Sequence, residues 1–548
     1  MPSSAQAVGA RVPSPAKRIL QPGRNCWRVE RANRFYCVQD AADCFKLVRQ
    51  AILSARQTIF ILGWDMFSAV DLLPDGADDG APTRLDDLLA FVARRRPHLR
   101  CYILIWDYAA LYTLERDPFS RWRLGWKAPS RVKFGFDDRH PVGGSHHQKI
   151  VVVDDQLAFC GGIDFTSHRW DTCAHRVEEP ARVSGGEPYE PYHEVQAMAT
   201  GPLAASLGAL ARDRWRLLGE KPMPRVQVST EDLWPADITP DLTDVDVAIA
   251  RTFAEIESQP AIRECETLFL DSIAAARQSI YIGRQYFTNG RLADALATRL
   301  RESHGPEIIV VSPKDCHGWL EQNTMAAFRN AAFRHLIAAD KYQRLRLVYP
   351  AGCRSRDVAT FIHSKVMVVD DELVRIGSAN FSRRSMGVDS ECDLAIEAGG
   401  DAQVQEGIRH IRDRLIAEHL GLPPEDVGGD VARAGSLRAF IDARQDADRT
   451  LARLELTDEA EATVSEALRA AADPDEPILS GSPVPGLIPP VGEANNGRRR
   501  GFILVTNLVL VPPSLVAAIA GLLLGTIRGA VVAFLASLVV AALGYAAG

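Results

Sequence analysis

The chain has 548 residues, too many for one hydrophobic core and suited to at least two domains. Its 63 Lys and Arg against 70 Asp and Glu leave a net charge of −7 and a pI near 6.0. That argues against general nucleic-acid binding, which shows a basic footprint. Ten cysteines are scattered with no C-x-x-C pair and no clustering with histidine, so neither zinc nor a disulfide framework is indicated and a reducing compartment is expected.

In chain order, residues 1–35 are an extension with Pro, Ser and Arg but no apolar core, and no secretory signal is expected there. Residues 36–225 form a first half. A helix ending in Ala55-Arg56-Gln57 leads into the strand Thr58–Leu62, and a helical segment with Arg94, Arg95 and Arg96 at its solvent end precedes the strand Cys101–Trp106. Residues 120–133 interleave Arg and Lys with Trp122 and Trp126, which suits either a phospholipid headgroup layer or a loop over core tryptophans. The strand Val132–Phe136 then leads up to HQKIVVVDDQLAFCGGIDF at 147–165.

Residues 226–420 repeat the plan. A helix ending in Ala276-Arg277-Gln278 precedes the strand Ser279–Ile282, followed by strands Ile308–Val311 and Leu345–Tyr349 and by HSKVMVVDDELVRIGSANF at 363–381. Residues 421–472 read as a helical appendage and 473–500 as a Pro/Gly-rich linker. After Arg498, Arg499 and Arg500, residues 501–548 are apolar with Arg528 as their single charge, long enough for up to two membrane spans. The arginines place the preceding region on the cytoplasmic side, and Arg528 needs a partner or a re-entrant path.

The two runs share one pattern: His147, Lys149, Asp154 and His363, Lys365, Asp370, with a glycine seven residues after each Asp (Gly161, Gly377) and a polar residue ten after (Asp164, Asn380). Each reads as a β-hairpin with His and Lys at i and i+2 of its first strand, so both side chains project to one face. The motif aspartates are out of phase with them and are expected to be structural. Alternating strands and helices in two related halves give an α/β fold of two pseudo-symmetric domains, with one active site at their interface.

This doubled motif resembles the signature of the phospholipase D superfamily. The resemblance is to the branch with the eukaryotic-type enzymes, carried by Gly161-Gly162-Ile163-Asp164, Arg169-Trp170-Asp171, Tyr192-His193-Glu194, Gly377-Ser378-Ala379-Asn380, Arg384-Ser385-Met386 and Asp389-Ser390-Glu391. It covers about residues 36–420 and departs at Gly283-Arg284, where relatives more often show an acidic residue and Asn. It implies two α-β-α sandwich halves sharing one site. Residues 501–548 resemble the opening of a SNARE-associated, DedA-type membrane domain; a simple hydrophobic anchor is the alternative.

A phosphodiester is anionic, so attack on phosphorus needs positive charge and donors at its oxygens. Lys149 and Lys365 supply the charge; Ser378 and Asn380 add donors, with Asp164 at the matching position of the first copy. Histidine can serve as nucleophile or as acid near neutral pH. The residues are symmetric about which does which; the resemblance implies His147 as nucleophile, forming a phosphohistidine, and His363 as acid and then base. It also implies orienting carboxylates at Asp171, after the first motif, and Glu391, after the second. His146 and His193 are either neighbours of the site or core histidines.

The expected function is a phospholipase D releasing phosphatidic acid from a glycerophospholipid, on a membrane and without a metal or cofactor in the reaction. Alternatives are a cardiolipin-synthase-like phosphatidyltransferase and a non-catalytic lipid-binding scaffold. No nucleic-acid partner is expected, and the oligomeric state is not encoded in any pattern found.

Overall fold

The computed structural model describes residues 18–107, 128–141, 143–219, 223, 226–227, 231–256, 259–315, 325–456 and 472–477. Residues 1–17 of the extension, the Trp122–Trp126 segment, residues 457–471 of the appendage, nearly all of the linker and the whole apolar stretch 501–548 lie outside them. Among the described residues no helix is long and apolar enough to cross a membrane.

The strands are β1 (Arg28–Gln39), β2 (Thr58–Gly63), β3 (Arg100–Trp106), β4 (Val132–Asp137), β5 (Lys149–Val153), β6 (Leu157–Gly161), a small hairpin β7 (Val183–Ser184) and β8 (Glu187–Pro188), β9 (Tyr192–His193), β10 (Val195–Thr200), β11 (Leu242–Phe253), β12 (Ile262–Arg263), β13 (Ser279–Arg284), β14 (Glu307–Val311), β15 (Leu345–Cys353), β16 (Val358–Ala359), β17 (Phe361–Ile362), β18 (Lys365–Val369), β19 (Leu373–Gly377), β20 (Glu391–Glu397) and β21 (Thr450–Arg453). Pairings join most of them into one 17-stranded mixed sheet. Its spatial order runs β4-β3-β2-β5-β6-β10-β1-β11-β20-β19-β18-β13-β14-β15-β21.

That order is nearly a palindrome about the antiparallel β1–β11 pair, so each strand of the first half has its counterpart in the second. The halves are therefore joined through a continuous sheet and lie within one compact unit, residues 1–106 with 119–478. Helices cover both faces. Ile280 and Ile282 of β13 pack with Leu292, Leu296 and Phe333, while Tyr281 between them joins the opposite layer with Leu207 and Leu415. This is the period of two that buries both faces of a strand.

The expected appendage is only partly helical. Helices Pro424–Ala434 and Leu437–Asp442 are followed by β21, which pairs antiparallel with β15. Leu451 is fully buried there, and the pairing covers an otherwise open sheet edge. Helical periodicity does not register such an edge strand.

The motif aspartates explain the repeated Ala-Arg-Gln. Each helix ends just before that turn, leaving the next backbone N–H groups without intrahelical partners. Asp154 accepts from the N–H of Arg56 (2.7 Å), Gln57 (2.8 Å) and Thr58 (2.6 Å); Asp370 accepts from Arg277 (2.6 Å), Gln278 (2.7 Å) and Ser279 (2.8 Å). Both carboxylates thus serve the scaffold. They do so from hairpin turns in which Asp154, Asp155, Asp370 and Asp371 all have positive φ, between 51° and 55°, a conformation aspartate tolerates.

Asp154→Ala should therefore destabilise the protein by about 2–4 kcal/mol, since buried donors lose a charged acceptor. Asp370→Ala should cost about half as much, because Arg277 and Gln278 remain open to water. Urea denaturation of the two variants checks the order; equal losses would contradict it.

Candidate active site

Lys149 and Lys365 open β5 and β18, at the central ends of the two motif hairpins. The histidines do not lie on those strands as expected. Residues 146–148 and 362–364 leave the hairpin and pair with the opposite half instead. His147 N–H donates to Ser390 O (2.9 Å) beside a His146–Ser390 bridge, and His363 N–H donates to His193 O (2.9 Å) beside the parallel β9–β17 pairing. Each motif histidine is thereby hung on the residue preceding a glutamate of the other half.

Those glutamates take the histidine side chains. Glu391 Oε1 and Oε2 lie 3.1 and 3.0 Å from His147 Nδ1, and Glu194 Oε2 meets His363 Nδ1. Glu194 and Glu391 are counterparts: each stands two residues before the partner of the motif glycine, Gln196 opposite Gly161 and Asp393 opposite Gly377. The expected orienting pairs are corrected on two points. Glu391 serves the first motif rather than its own, and Glu194 takes the place assigned to Asp171. Asp171 is spent elsewhere, accepting from His175 Nδ1 (2.9 Å), Arg182 Nη1 (3.1 Å) and Tyr192 N–H (2.8 Å).

The lysines are buried at 2% and 0% exposure, so their partners decide their state. Lys149 Nζ donates to His147 O (3.0 Å), lies 3.1 Å from Asp164 Oδ2 and faces the Trp64 ring. Lys365 Nζ donates to His363 O, lies 2.9 Å from His363 Nδ1 and 3.7 Å from Glu194 Oε2. Burial foremost pushes Lys365 down to about 7, against the pull of Glu194. Burial likewise holds both His147 and His363 well below the usual imidazole range, and the neighbouring lysines press the same way. Both rings are therefore uncharged at neutral pH in the ligand-free protein. With Nδ1 engaged, Nε2 is the atom of each ring left for chemistry.

Of the three expected phosphate contacts, two have other work. Asp164 is the counter-ion of Lys149 and accepts the Trp64 N–H (3.0 Å), and a carboxylate so placed repels a phosphate rather than holding it. Ser378 Oγ donates to Glu391 Oε2 (2.5 Å) and accepts from Cys392 N–H (3.0 Å), so it holds the glutamate of His147. Asn380 stays beside the site, its Oδ1 buried without a hydrogen-bond partner. Gly162, the counterpart of Ser378, has no room for a side chain: a Cβ there would lie 2.2 Å from Glu194 Oε1.

Of the two ambiguous histidines, His146 is a buried neighbour of the site, bonded to Ser390 Oγ (2.9 Å), 3.2 Å from Asp137 and pushed down to about 4 by burial. His193 joins a second buried group with Asp40, His175 and Glu418. Sequence spacing missed that group because its members come from four distant segments. Cys160 and Cys392 are buried free thiols with their sulfurs 3.7 Å apart.

Residues 269–412 match the family described as cardiolipin synthase, PLD-like domain. The chain is 23% identical to phospholipase D A of Dictyostelium discoideum over 70% of its own length and 35% of that protein. It is also 23% identical to phospholipase D alpha 1 of Arabidopsis thaliana, over 70% of this chain and 64% of the relative. It thus spans about a third of the first and under two thirds of the second. Among solved structures, phosphatidylserine synthase of Haemophilus influenzae Rd KW20 aligns with a TM-score of 0.49 and 14% identity, over 75% of this chain and 95% of that one. The family match and the named relatives, taken with the doubled motif, support placing this chain in the phospholipase D superfamily.

Proposed function

We propose that the chain is a phospholipase D-type enzyme that transfers the phosphatidyl group of a glycerophospholipid to water or to an alcohol. The observation that supports this best is the reciprocal arrangement of the site: two histidines, each bound through Nδ1 by a glutamate of the other half, beside two buried lysines. His147 Nε2 attacks phosphorus, and the bond from phosphorus to the headgroup oxygen breaks. His363 Nε2 gives that oxygen its proton, so the headgroup leaves as a neutral alcohol. His363 then removes a proton from water, whose oxygen attacks the phosphohistidine and returns His147 with phosphatidic acid as product. An alcohol in place of water gives a new phosphodiester. Lys149, Lys365 and Asn380 hold the phosphoryl oxygens. The anionic substrate restores the negative charge that the buried, cation-rich site lacks, which favours a proton on His363.

The matched family description favours a second reading, a cardiolipin-synthase-like phosphatidyltransferase with a phosphatidylglycerol acceptor. Both use the same phosphohistidine and differ in the second nucleophile. A scaffold that only binds headgroups would have no use for four buried ionisable groups arranged in this way. Residues 501–548, after three arginines, support attachment to a membrane with the catalytic halves in the cytoplasm.

Incubation with phosphatidylcholine, phosphatidylethanolamine and phosphatidylglycerol, in water and with added primary alcohol, tests the proposal. Phosphatidic acid or a phosphatidyl alcohol is expected, and no turnover of any of them would overturn it. His147→Ala should abolish the covalent phosphoenzyme and all turnover. His363→Ala should lower turnover of natural lipids by roughly 10²–10⁴-fold, but far less with a nitrophenyl leaving group that needs no proton. Phosphate trapped on His363 would reverse the roles.

The pH dependence follows from Lys365, which is charged below about 7 and neutral above. Binding of a phosphodiester anion to the free enzyme needs the charge, so kcat/KM should fall as pH rises through neutrality. A profile flat between about pH 7 and 9 would contradict this. Removal of residues 501–548 should convert a membrane-sedimenting protein into a soluble one that still cleaves monomeric substrate; a folded but inactive truncation would tie the apolar stretch to the site.

A further inference from the structure

Behind the catalytic groups lies a second constellation that the proposed mechanism does not use. Asp40, His175, His193 and Glu418 are at most 7% exposed, and one ligand atom from each falls within 4.8 Å of all the others. They come from the start of the helix Ala41–Ser54, the loop after the first motif, β9 and the helix Ala402–Leu420. His175 Nε2 lies 2.7 Å from Glu418 Oε1 and 3.4 Å from Asp40 Oδ2; His193 Nδ1 lies 2.5 Å from Glu418 Oε1 and 3.1 Å from Asp40 Oδ1.

We propose that Asp40, His175, His193 and Glu418 form a closed binding site for one divalent transition-metal ion of the zinc type.

Three observations carry this. Two imidazoles with two carboxylates are a donor set that suits zinc, and four protein ligands complete a tetrahedral shell. The ring of His175 is also set as metal-binding histidines are. Its Nδ1 lies 2.9 Å from Asp171, which is fixed by Arg182 and the Tyr192 N–H, so Nε2 is the atom left to face Glu418 and Asp40. Two carboxylates around that atom in a buried pocket require positive charge between them, from a proton on the ring or from an ion. Finally, Asp40 Oδ2 is buried, makes no hydrogen bond and is aimed into the group. Two extra protons or one divalent ion would supply the missing charge equally. The ion would also bond Asp40 Oδ2 directly, an oxygen that a protonated His175 meets only as an ion pair at 3.4 Å with no hydrogen bond. Metal-to-ligand distances of about 2.0–2.2 Å place tetrahedral donors roughly 3.3 Å apart, so to admit it the short pairs must open by less than about 1 Å and any pair near the 4.8 Å limit must close by about 1.5 Å.

The site is closed to substrate, so its effect on chemistry is one of position. Asp40 Oδ1 accepts the Glu194 N–H (3.0 Å), Asp40 N–H donates to Glu194 O (2.8 Å), and His193 O accepts the His363 N–H. An ion held by Asp40 and His193 therefore fixes both the glutamate that orients His363 and the backbone of His363 itself. It also ties Glu418 of the second half to three ligands of the first.

The test is metal analysis of the full-length protein, purified without a histidine tag from zinc-supplemented medium. About one equivalent of zinc is expected, with the melting temperature falling on chelation and recovering on zinc addition. Cobalt(II) added to the stripped protein should give the intense visible absorption of a tetrahedral ion. His175→Gln should lose both the equivalent and the absorption. If that variant does not fold, the cobalt spectrum of the unaltered protein decides, a weak six-coordinate spectrum counting against the site. Less than about a tenth of an equivalent with no thermal shift on zinc addition would overturn the proposal and leave a proton-bridged network. Undiminished binding in His175→Gln would place the metal elsewhere and overturn it equally.

Discussion

The structure depends on one reciprocal exchange: each half of the repeat completes the histidine of the other. Glu391 holds His147 and Glu194 holds His363, while the backbone of Ser390 and His193 anchors the same two residues. A half on its own would present a histidine with a bare Nδ1 and a glutamate without its imidazole, left with the Ser378 hydroxyl for Glu391 and the Val195 N–H for Glu194. A buried carboxylate that loses its cationic or hydrogen-bonding partner is expensive, which ties the integrity of the site to the union of the halves. The continuous sheet through β1 and β11 meets that demand. It fixes the register of β10 and β20, and so the positions of both glutamates, before any ligand is present.

Much of this could be read from the sequence. The doubled His-x-Lys-x4-Asp, the matched Ala-Arg-Gln turns and the six flanking strands located the core of each half to within a few residues. The period-two phase of Asp154 and Asp370 pointed them away from His and Lys, and the structure gives each three backbone donors to bind. What sequence could not supply was partnership across the repeat. The resemblance implies for each histidine a carboxylate from its own half, yet a pseudo-two-fold places the complementary strand of the opposite half closer. The signal existed in Tyr192-His193-Glu194-Val195 and Asp389-Ser390-Glu391-Cys392, two segments that lead into the last strand of their halves. Laying the two segments side by side pairs Glu194 with Glu391, although they stand at different distances from the motif glycines and only the strand register makes them equivalent. The group of Asp40, His175, His193 and Glu418 had no such signal, because proximity there is purely tertiary.

The halves are not equivalent where it matters for acid–base chemistry. In the first, Asp164 sits against Lys149 and cancels much of its field at His147, and Gly63 occupies the strand end. In the second, the counterpart of Asp164 is the neutral Asn380, and the counterpart of Gly63 is Arg284. That guanidinium is fully buried and donates to Ala379 O. Its charge adds to the burial that pushes Lys365 down. Lys365 has Glu194 only at 3.7 Å where Lys149 has Asp164 at 3.1 Å, so His363 lies under the less compensated positive field and its imidazolium is the stronger acid. Gly283-Arg284 is where the sequence departs from the family pattern. In physical terms the departure strengthens an asymmetry that the Asp164/Asn380 difference already creates between two histidines that look alike in sequence. Substrate phosphate, arriving as an anion between the two lysines, relieves that field most where it is least compensated. The bound anion therefore lowers the cost of a proton on His363, the ring proposed to deliver it to the departing alcohol.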